Sequence, residues 1–585
     1  MAYKLLCEDK NYNEWSVVDS LNLEKIIDHT TTADDLADCG HYKKFNNFNP
    51  VSEKLLNGDL FNMNDDSIVH VTYSVIKNLK KIPGVMILEK NKTFGKIKTK
   101  FLYRCISDDK RIPEFLVPYL DKSPSFSKQK INKFVLFKFR EWKDKHPIAE
   151  LVNTIGTVNH LPNFYEYQLY CKSLYASIQD FTKKTLLALK TQSEEQYIID
   201  ICRKHKIEDR QDWTVFTIDP VKSKDFDDAL SIKTIETPEK TQTIISIYIA
   251  NVSLWMDALD LWDSFSERIA TIYLPDHKRP MLPSVLSDCL CSLIEQQQRF
   301  AFTLDIMIED SKIHHIEFKN TLIKVSKNFR YEEPALKEFP QYKQLFKMST
   351  ALRENYKSIY KVRDSHELVG FLMVMMNHYS AIELTKMKSG IYRSVKLTTE
   401  VRIPMDLPDN VFRFIQGWNS SGGKYVAYKD IEKHELMDLD SYVHITSPIR
   451  RLVDLLNILQ LQHNKDMVLF TEKSEKFYNK WMNQMDYINT TMRAIRKVQS
   501  DCSLLALCSE NKEFLDKTYS GYVFDKISRA NGFNQMFVYL PEINMTSRFT
   551  TVEELPEYSR ITFKLFLFQD EHNIKKKIRI MKVDE

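Results

Sequence analysis

Glycine is scarce in this chain, with 12 residues in 585, where ordinary usage of about 7% would give roughly 40. Lys, Asn and Ile are plentiful instead, which reads as the imprint of an AT-rich genome rather than as a structural message. Cysteine is sparse and badly spaced for chemistry: there are nine, with no CxxC pair, and Cys289 and Cys291 stand one residue apart. That excludes a zinc knuckle or a dithiol redox motif and suggests reduced thiols buried as small hydrophobes. No apolar run follows "MAYKLLCEDKN", so no secretory signal is expected. The most apolar stretch, "LVGFLMVMMNHYSAIEL", is too short and too polar at its end to span a bilayer. Charge of one sign is lacking too: 83 basic and 79 acidic residues leave +4, which by itself does not announce a nucleic-acid binder. No internal repeat or low-complexity tract is present. A soluble, cytoplasmic, globular protein is expected, with length for roughly four domains.

What is present is organised. The first 190 or so residues alternate short β-like runs with turn signals. In "PGVMILEKNKTFGKIKTKFLYRCI", Lys96, Lys98 and Lys100 alternate with other side chains, and Phe94, Phe101 and Tyr103 sit among them. A basic, aromatic strand surface suits an oligonucleotide-binding (OB) or cold-shock barrel on a single strand, and equally an ordinary sheet with solvated lysines. A linker, "LDKSPSFSKQK", leads to the strand candidates "INKFVLFKFREW" and "IAELVNTIGTV". "YEYQLYCKSLYASIQDFTKKTLLALK" has helical spacing. A long central block turns from strands to helices, and the last 70 residues return to β character. There Lys577 and Arg579 fall opposite Ile578 and Ile580.

Inside the central block, "DPVKSKDFDDAL" places Asp219, Asp225, Asp227 and Asp228 within ten positions between apolar, β-rich flanks. Ionised carboxylates a few ångströms apart repel by about 1 to 4 kcal/mol per pair. Solvation, raised pKa values or divalent cations relieve this. EF-hand spacing, with its central glycine and terminal glutamate, is absent. A solvated acidic loop remains open. Against it, Asp225 and Asp227 lie an even step apart, Asp219 ends a strand and Asp228 begins one. Aspartates at a sheet rim with few competing basic neighbours suit Mg²⁺ or Mn²⁺, and an all-oxygen set does not suit zinc.

The segment "YVHITSPIRRLVDLLNILQLQ" reads as a buried helix with Ser447 as N-cap and Pro448 just inside the start. Arg450 and Arg451 then fall in the first turn, at the positive end of the helix dipole. A phosphate held by the free N–H groups and an arginine resolves that conflict. An ion pair with a distant carboxylate is the alternative.

With these segments in hand, the chain resembles the RNB family of exoribonucleases, the group of ribonuclease II, ribonuclease R and the exosome's hydrolytic subunit. "TIDPVKSKDFDDAL", "IYLPDHKRPMLPSVLSDCLCSL" and "HITSPIRRLVDL" are similar to three of its motifs, in the family's order. The resemblance implies a multidomain α+β fold. Cold-shock-like OB domains are expected at 1–110 and 111–190, an RNB catalytic domain with a mixed sheet surrounded by helices at 191–515, and an RNA-binding OB fold at 516–585. It further implies processive 3′-to-5′ hydrolysis of single-stranded RNA to nucleoside 5′-monophosphates with two Mg²⁺ ions, or Mn²⁺ in their place. By position, Asp219, Asp225 and Asp228 would be metal ligands, and Asp227 would hold the second ion and the attacking water. Arg450 would contact the scissile phosphate, with Arg451 beside it on the RNA. Tyr273 would grip the last nucleotides and Tyr331 stack on the terminal base; for either tyrosine alone, core packing is the competing reading.

Departures from the motifs are specific. Tyr248 to Asn251 read YIAN where the family has HIAD, Gly370 and Phe371 replace two glutamates, and Gln499 stands for an acidic residue. No loop between Tyr331 and Leu368 matches the one that supplies a second stacking aromatic. No PIN domain precedes the barrels, so a monomer without exosome association and without a membrane is expected. The alternatives are a catalytically inactive RNA-binding relative and a plain adaptor. Retention of all four aspartates and Arg450 speaks for the enzyme.

Overall fold

The structure, a computed structural model, describes residues 2–583 apart from 33–42, 65, 121–129, 237–240, 355–361, 396–402, 422, 436–438, 530–531 and 573. The linker expected at 120–130 therefore lies almost wholly outside the described residues. The chain divides into two compact units: Ala176–Gln499, and a second formed by Met1–Tyr175 with Ser500–Glu585.

The two-part unit is built on three sheets. In the first, Tyr3–Cys7 is central to a five-stranded sheet that ends at Val69–Tyr73. The second has six strands, and in it Ile82–Met86 pairs with both Lys133–Glu141 and Lys100–Ser107. The expected border at 110/111 thus falls inside one sheet. The partners of Ile82–Met86 lie some 20 to 50 residues later, and local patterning cannot see pairing at that distance. The first two sheets share one core, which includes Tyr3, Phe61, Phe115 and Phe137. Lys98 turns a hairpin with φ 52° between Lys96–Ile97 and Lys100–Ser107. Beside it, the Lys96 ammonium sits over the Phe101 ring. In the third sheet, Ile578 and Ile580 are buried while Lys577 and Arg579 face out, the alternation that the sequence shows.

The other unit begins earlier than the expected 190/191 border. Its helix Gln179–Ala188 sends Phe181 against Phe265 in the unit's own core. At its centre is a closed five-stranded barrel in the order Ile207–Asp219, Asp228–Glu236, Thr241–Ala250, Gln298–Glu309, Lys312–Arg330. All neighbours are antiparallel except the first and last strands, whose parallel pairing closes it. The sheet is mixed, as expected; its closure into a barrel was not anticipated. The strands are apolar on both faces because both are covered. Ile245, Ile247 and Ile249 join one core cluster, while Tyr248 and Ala250 join another, as a period of two demands.

The YIAN departure is absorbed by this packing. Asn251 donates to Asn320 at 3.0 Å and accepts from Gln462 at 3.1 Å and Ser253 at 2.8 Å, all buried. It is a neutral amide network where a carboxylate would bring an uncompensated charge. Asn251→Ala removes these three buried bonds while Gln462 keeps its own to Ser253 and Asn320, and a loss of about 1 kcal/mol in unfolding free energy is expected from denaturant melts.

Candidate active site

The aspartate segment leaves the barrel at Asp219, the last residue of its strand, and returns at Asp228, the first of the next. The loop between is fixed by Ser292 from the "LCSL" stretch. Its hydroxyl accepts the Phe226 N–H at 2.9 Å and donates to the Lys224 carbonyl at 3.2 Å, while the Leu293 N–H meets the Phe226 carbonyl. The Asp227 carbonyl accepts from the Ala250 N–H at 2.8 Å. A short loop with both ends in strands and its middle stapled holds the four carboxylates at one end of the barrel.

The "SPIRR" segment meets this loop. Asp227, 4% exposed, accepts the Ile449 N–H on Oδ1 and the Arg450 Nε on Oδ2, each at 3.0 Å. The expected helix start is displaced: the helix begins at Leu452, and Ser447 to Arg450 form a separate turn. The cause is tertiary. The Arg450 carbonyl accepts from Thr271 and the Leu452 N–H donates to the Ile269 carbonyl, so this stretch pairs as a strand with Ala270. Asp454 caps the arrangement, accepting the Ser447 N–H and the Arg451 guanidinium, each at 2.8 Å. Arg451 is thus held in a local ion pair rather than standing beside Arg450 as expected. Arg450 Nη2 donates to Ser447 Oγ at 2.8 Å. Its Nη1 has no partner among the described residues, and the side chain is 42% exposed.

The same pairing brings in Tyr273. The hairpin Ile272–Tyr273 and Lys278–Arg279 points the tyrosine hydroxyl at Asp225 Oδ2, 3.2 Å away, while Gln499 accepts the Tyr273 N–H at 2.9 Å. Gln499, a departure in the motif, therefore positions Tyr273. Lys278, whose role sequence reasoning missed, lies 3.2 Å from Asp225 Oδ1 and 2.9 Å from Asp288 Oδ1. The expectation of few basic neighbours fails here, since Lys278 and Arg450 each touch a carboxylate. Tyr331 follows the last barrel strand, its N–H on the Asp219 carbonyl at 3.1 Å. Its ring stacks on His366, with centroids 3.6 Å apart and planes at 8°. His366 is a second ring that no motif marks, because it sits at the start of a helix (Ser365–Lys386), and the loop that would mark a stacking aromatic has no counterpart in the sequence. On that helix Phe371 is core, and a side chain at Gly370 would meet open space.

Burial is the first cause that lifts the Asp219, Asp227 and Asp228 carboxyls to about 7. Their mutual repulsion adds to it, and Arg450 only partly offsets it. Asp219 Oδ2 is buried without a partner. Among the described residues no three His, Cys, Asp or Glu side chains stand arranged to hold a metal ion, and two of the four carboxylates are taken by cations. Three buried carboxyls raised by burial, one of them with an unpartnered oxygen, nevertheless have the all-oxygen chemistry that hard divalent ions take.

Residues 207–336 match the model of the RNB domain, which bears out the resemblance carried by the motifs. The chain is 28% identical to DIS3-like exonuclease 2 of Caenorhabditis elegans over 239 residues, 39% of this chain and 28% of that protein. It spans less than a third of the length of the first curated relatives it matches. In fold it is similar to RNase R of Mycoplasma genitalium, solved with ribose-methylated single-stranded RNA. The TM-score is 0.67 at 17% identity, covering 99% of this chain and all of that one. It is also similar to yeast Ssd1, described as a pseudonuclease, with TM-score 0.55 and 14% identity over 96% and 80% of the two chains. No helix among the described residues is long and apolar enough to cross a membrane.

Because the three carboxyls hold protons up to about 7 in the folded protein, against an ordinary 3.8, the folded state binds more protons than the unfolded chain between these values. Stability of the metal-free protein is therefore full below about pH 4 as far as these groups are concerned, falls as pH rises to about 7, and levels off above. Thermal melts at pH 5 and pH 8 without divalent ions are expected to show the lower midpoint at pH 8, with Mg²⁺ raising it there. Ser292→Ala should loosen the aspartate loop and lower the midpoint by about 1–3 kcal/mol equivalent.

Proposed function

We propose that this protein is a 3′-to-5′ exoribonuclease that hydrolyses single-stranded RNA processively to nucleoside 5′-monophosphates. Two Mg²⁺ ions, or Mn²⁺, would be held by Asp219, Asp225, Asp227 and Asp228. The observation that carries this reading is the contact of Asp227, one of four carboxylates borne by a single loop between two barrel strands, with Arg450, whose Nη1 is left open. When bound, the ions would make a hydroxide available near neutral pH and offset charge on the leaving oxygen. The chain's own residues supply the rest. Asp227 fixes the Arg450 guanidinium through Nε, which aims its free Nη1 outward for a phosphate oxygen and for charge developing in the transition state. Tyr273, 41% exposed, offers a face for the last nucleotides. The Tyr331–His366 pair offers aromatic surface for the terminal base. The sheets of the two-part unit, with Phe101 exposed under Lys96, would serve as cold-shock-like and OB surfaces along the strand. We further propose that the protein acts as a monomer, in the cytoplasm and outside an exosome.

A second reading, an inactive RNA binder, is favoured by the likeness to Ssd1 in fold and by the missing glutamates at Gly370 and Phe371. The two separate on 5′-labelled single-stranded RNA incubated with and without Mg²⁺. The enzyme gives Mg²⁺-dependent shortening from the 3′ end, reduced about a hundredfold or more in Asp227→Asn. Intact RNA with a retained gel shift would establish the binder instead. Tyr273→Ala is expected to change the length at which digestion stops; an unchanged end product would remove Tyr273 from that role.

A further inference from the structure

Asp225, like Asp227, has both oxygens engaged, but the two partners of Asp225 come from one hairpin. Tyr273 Oη lies 3.2 Å from Oδ2 and Lys278 Nζ 3.2 Å from Oδ1. Lys278 is the only one of the two with a second acceptor in place: Asp288 Oδ1 stands 2.9 Å from the same ammonium and is oriented by the Ser287 hydroxyl at 2.6 Å. The turn that carries Lys278 is held by the Arg279–Asp276 ion pair, with contacts of 2.6 and 2.9 Å, so the stem is fixed and only the flexible tip needs to move. Arg450 cannot perform this exchange, since it is committed to Asp227 and Ser447.

We infer that Lys278 is a positioning residue for the metal site, a built-in cation shared between Asp225 and Asp288 in the metal-free protein that withdraws onto Asp288 alone when a divalent ion takes the Asp225 carboxylate. This rests on the reading of Asp225 as a metal ligand. The exchange needs no unpaired charge at any stage: the ammonium gives up one of its two carboxylates and keeps the other, and the ion replaces it. It also ties ion occupancy to the hairpin that bears Tyr273, because the same carboxylate holds both.

The test is Mn²⁺ binding to the full chain without RNA, read from the electron paramagnetic resonance signal of free Mn²⁺. Lys278→Met removes a competing cation next to the ion and is expected to tighten Mn²⁺ about tenfold. Asp288→Asn, nearly isosteric, strands the ammonium on Asp225 and is expected to weaken it by a similar factor. A simple field effect of two charges would give the same signs but would add. The exchange instead requires that Asp288→Asn change the affinity less than about twofold once Lys278 is Met. Additive effects in the double variant, or weakening in both single variants, would overturn the inference. Should Lys278→Met not fold, Lys278→Gln enters the cycle in its place. If the unaltered protein binds no Mn²⁺, the metal reading of the site falls, and this inference with it; binding that is unmoved by either substitution removes the inference alone.

Discussion

The contact between Asp227 and the Ile449–Arg450 turn is the constraint on which the rest of the site depends. It joins segments 222 and 223 residues apart and does so with a buried carboxylate, which is unfavourable unless something compensates it. One backbone N–H and one guanidinium compensate it in part. The residual cost shows in a carboxyl pushed up to about 7 in spite of the arginine. Every other feature of the site can be read as holding these two segments in register. Ser292 staples the loop before Asp227, Ala250 fixes its carbonyl, Asp454 closes the turn behind Ser447, and Ala270 pairs with Arg451.

That arrangement explains why the middle motif exists. Its first part makes the Tyr273–Lys278 hairpin, and its last part, "LCSL", supplies the serine that binds the aspartate loop. A stretch that looks in sequence like a run of hydrophobic and turn residues is the brace between the acidic and basic halves of the site. The departures fall into place on the same account. Gln499 keeps a hydrogen bond to the Tyr273 backbone that needs only an acceptor, so loss of the acid's charge there costs the hairpin nothing. Asn251 belongs to a neutral amide cluster in which no cation stands ready for a carboxylate.

Much of this was legible in the sequence where the signal is local. The aspartate loop was bounded at Asp219 and Asp228 because its flanks are β-branched and apolar on both sides, and the structure ends and begins strands at those residues. The two faces of the final strand followed from simple alternation. Where tertiary pairing competes with local preference, the sequence misled. Ser447 and Pro448 have the chemistry of a helix start, yet the chain spends the next residues pairing with Ala270 and starts its helix at Leu452. The border at 110/111 failed for the same reason, since Ile82–Met86 finds its partners far along the chain. His366 was invisible because a single histidine at a helix start carries no pattern; only the fold lays it against Tyr331.

The electrostatic balance of the site has a further consequence. Four carboxylates share one loop, but they are not equivalent: Asp225 and Asp227 each rest against a cation, while among the described residues Asp219 and Asp228 rest against none and Asp219 keeps one oxygen unsatisfied. A divalent ion bound as proposed would gain most, per contact, from the pair without cations, because nothing would have to be displaced there. On the proposed reading, Asp225 would become available to an ion only as Lys278 gave way. The guanidinium on Asp227 has no alternative carboxylate within its contacts, so on the proposed reading it would stay as a fixed positive charge for a phosphate. The two cations thus divide the work by geometry alone: one with a second acceptor can leave, and one without must remain.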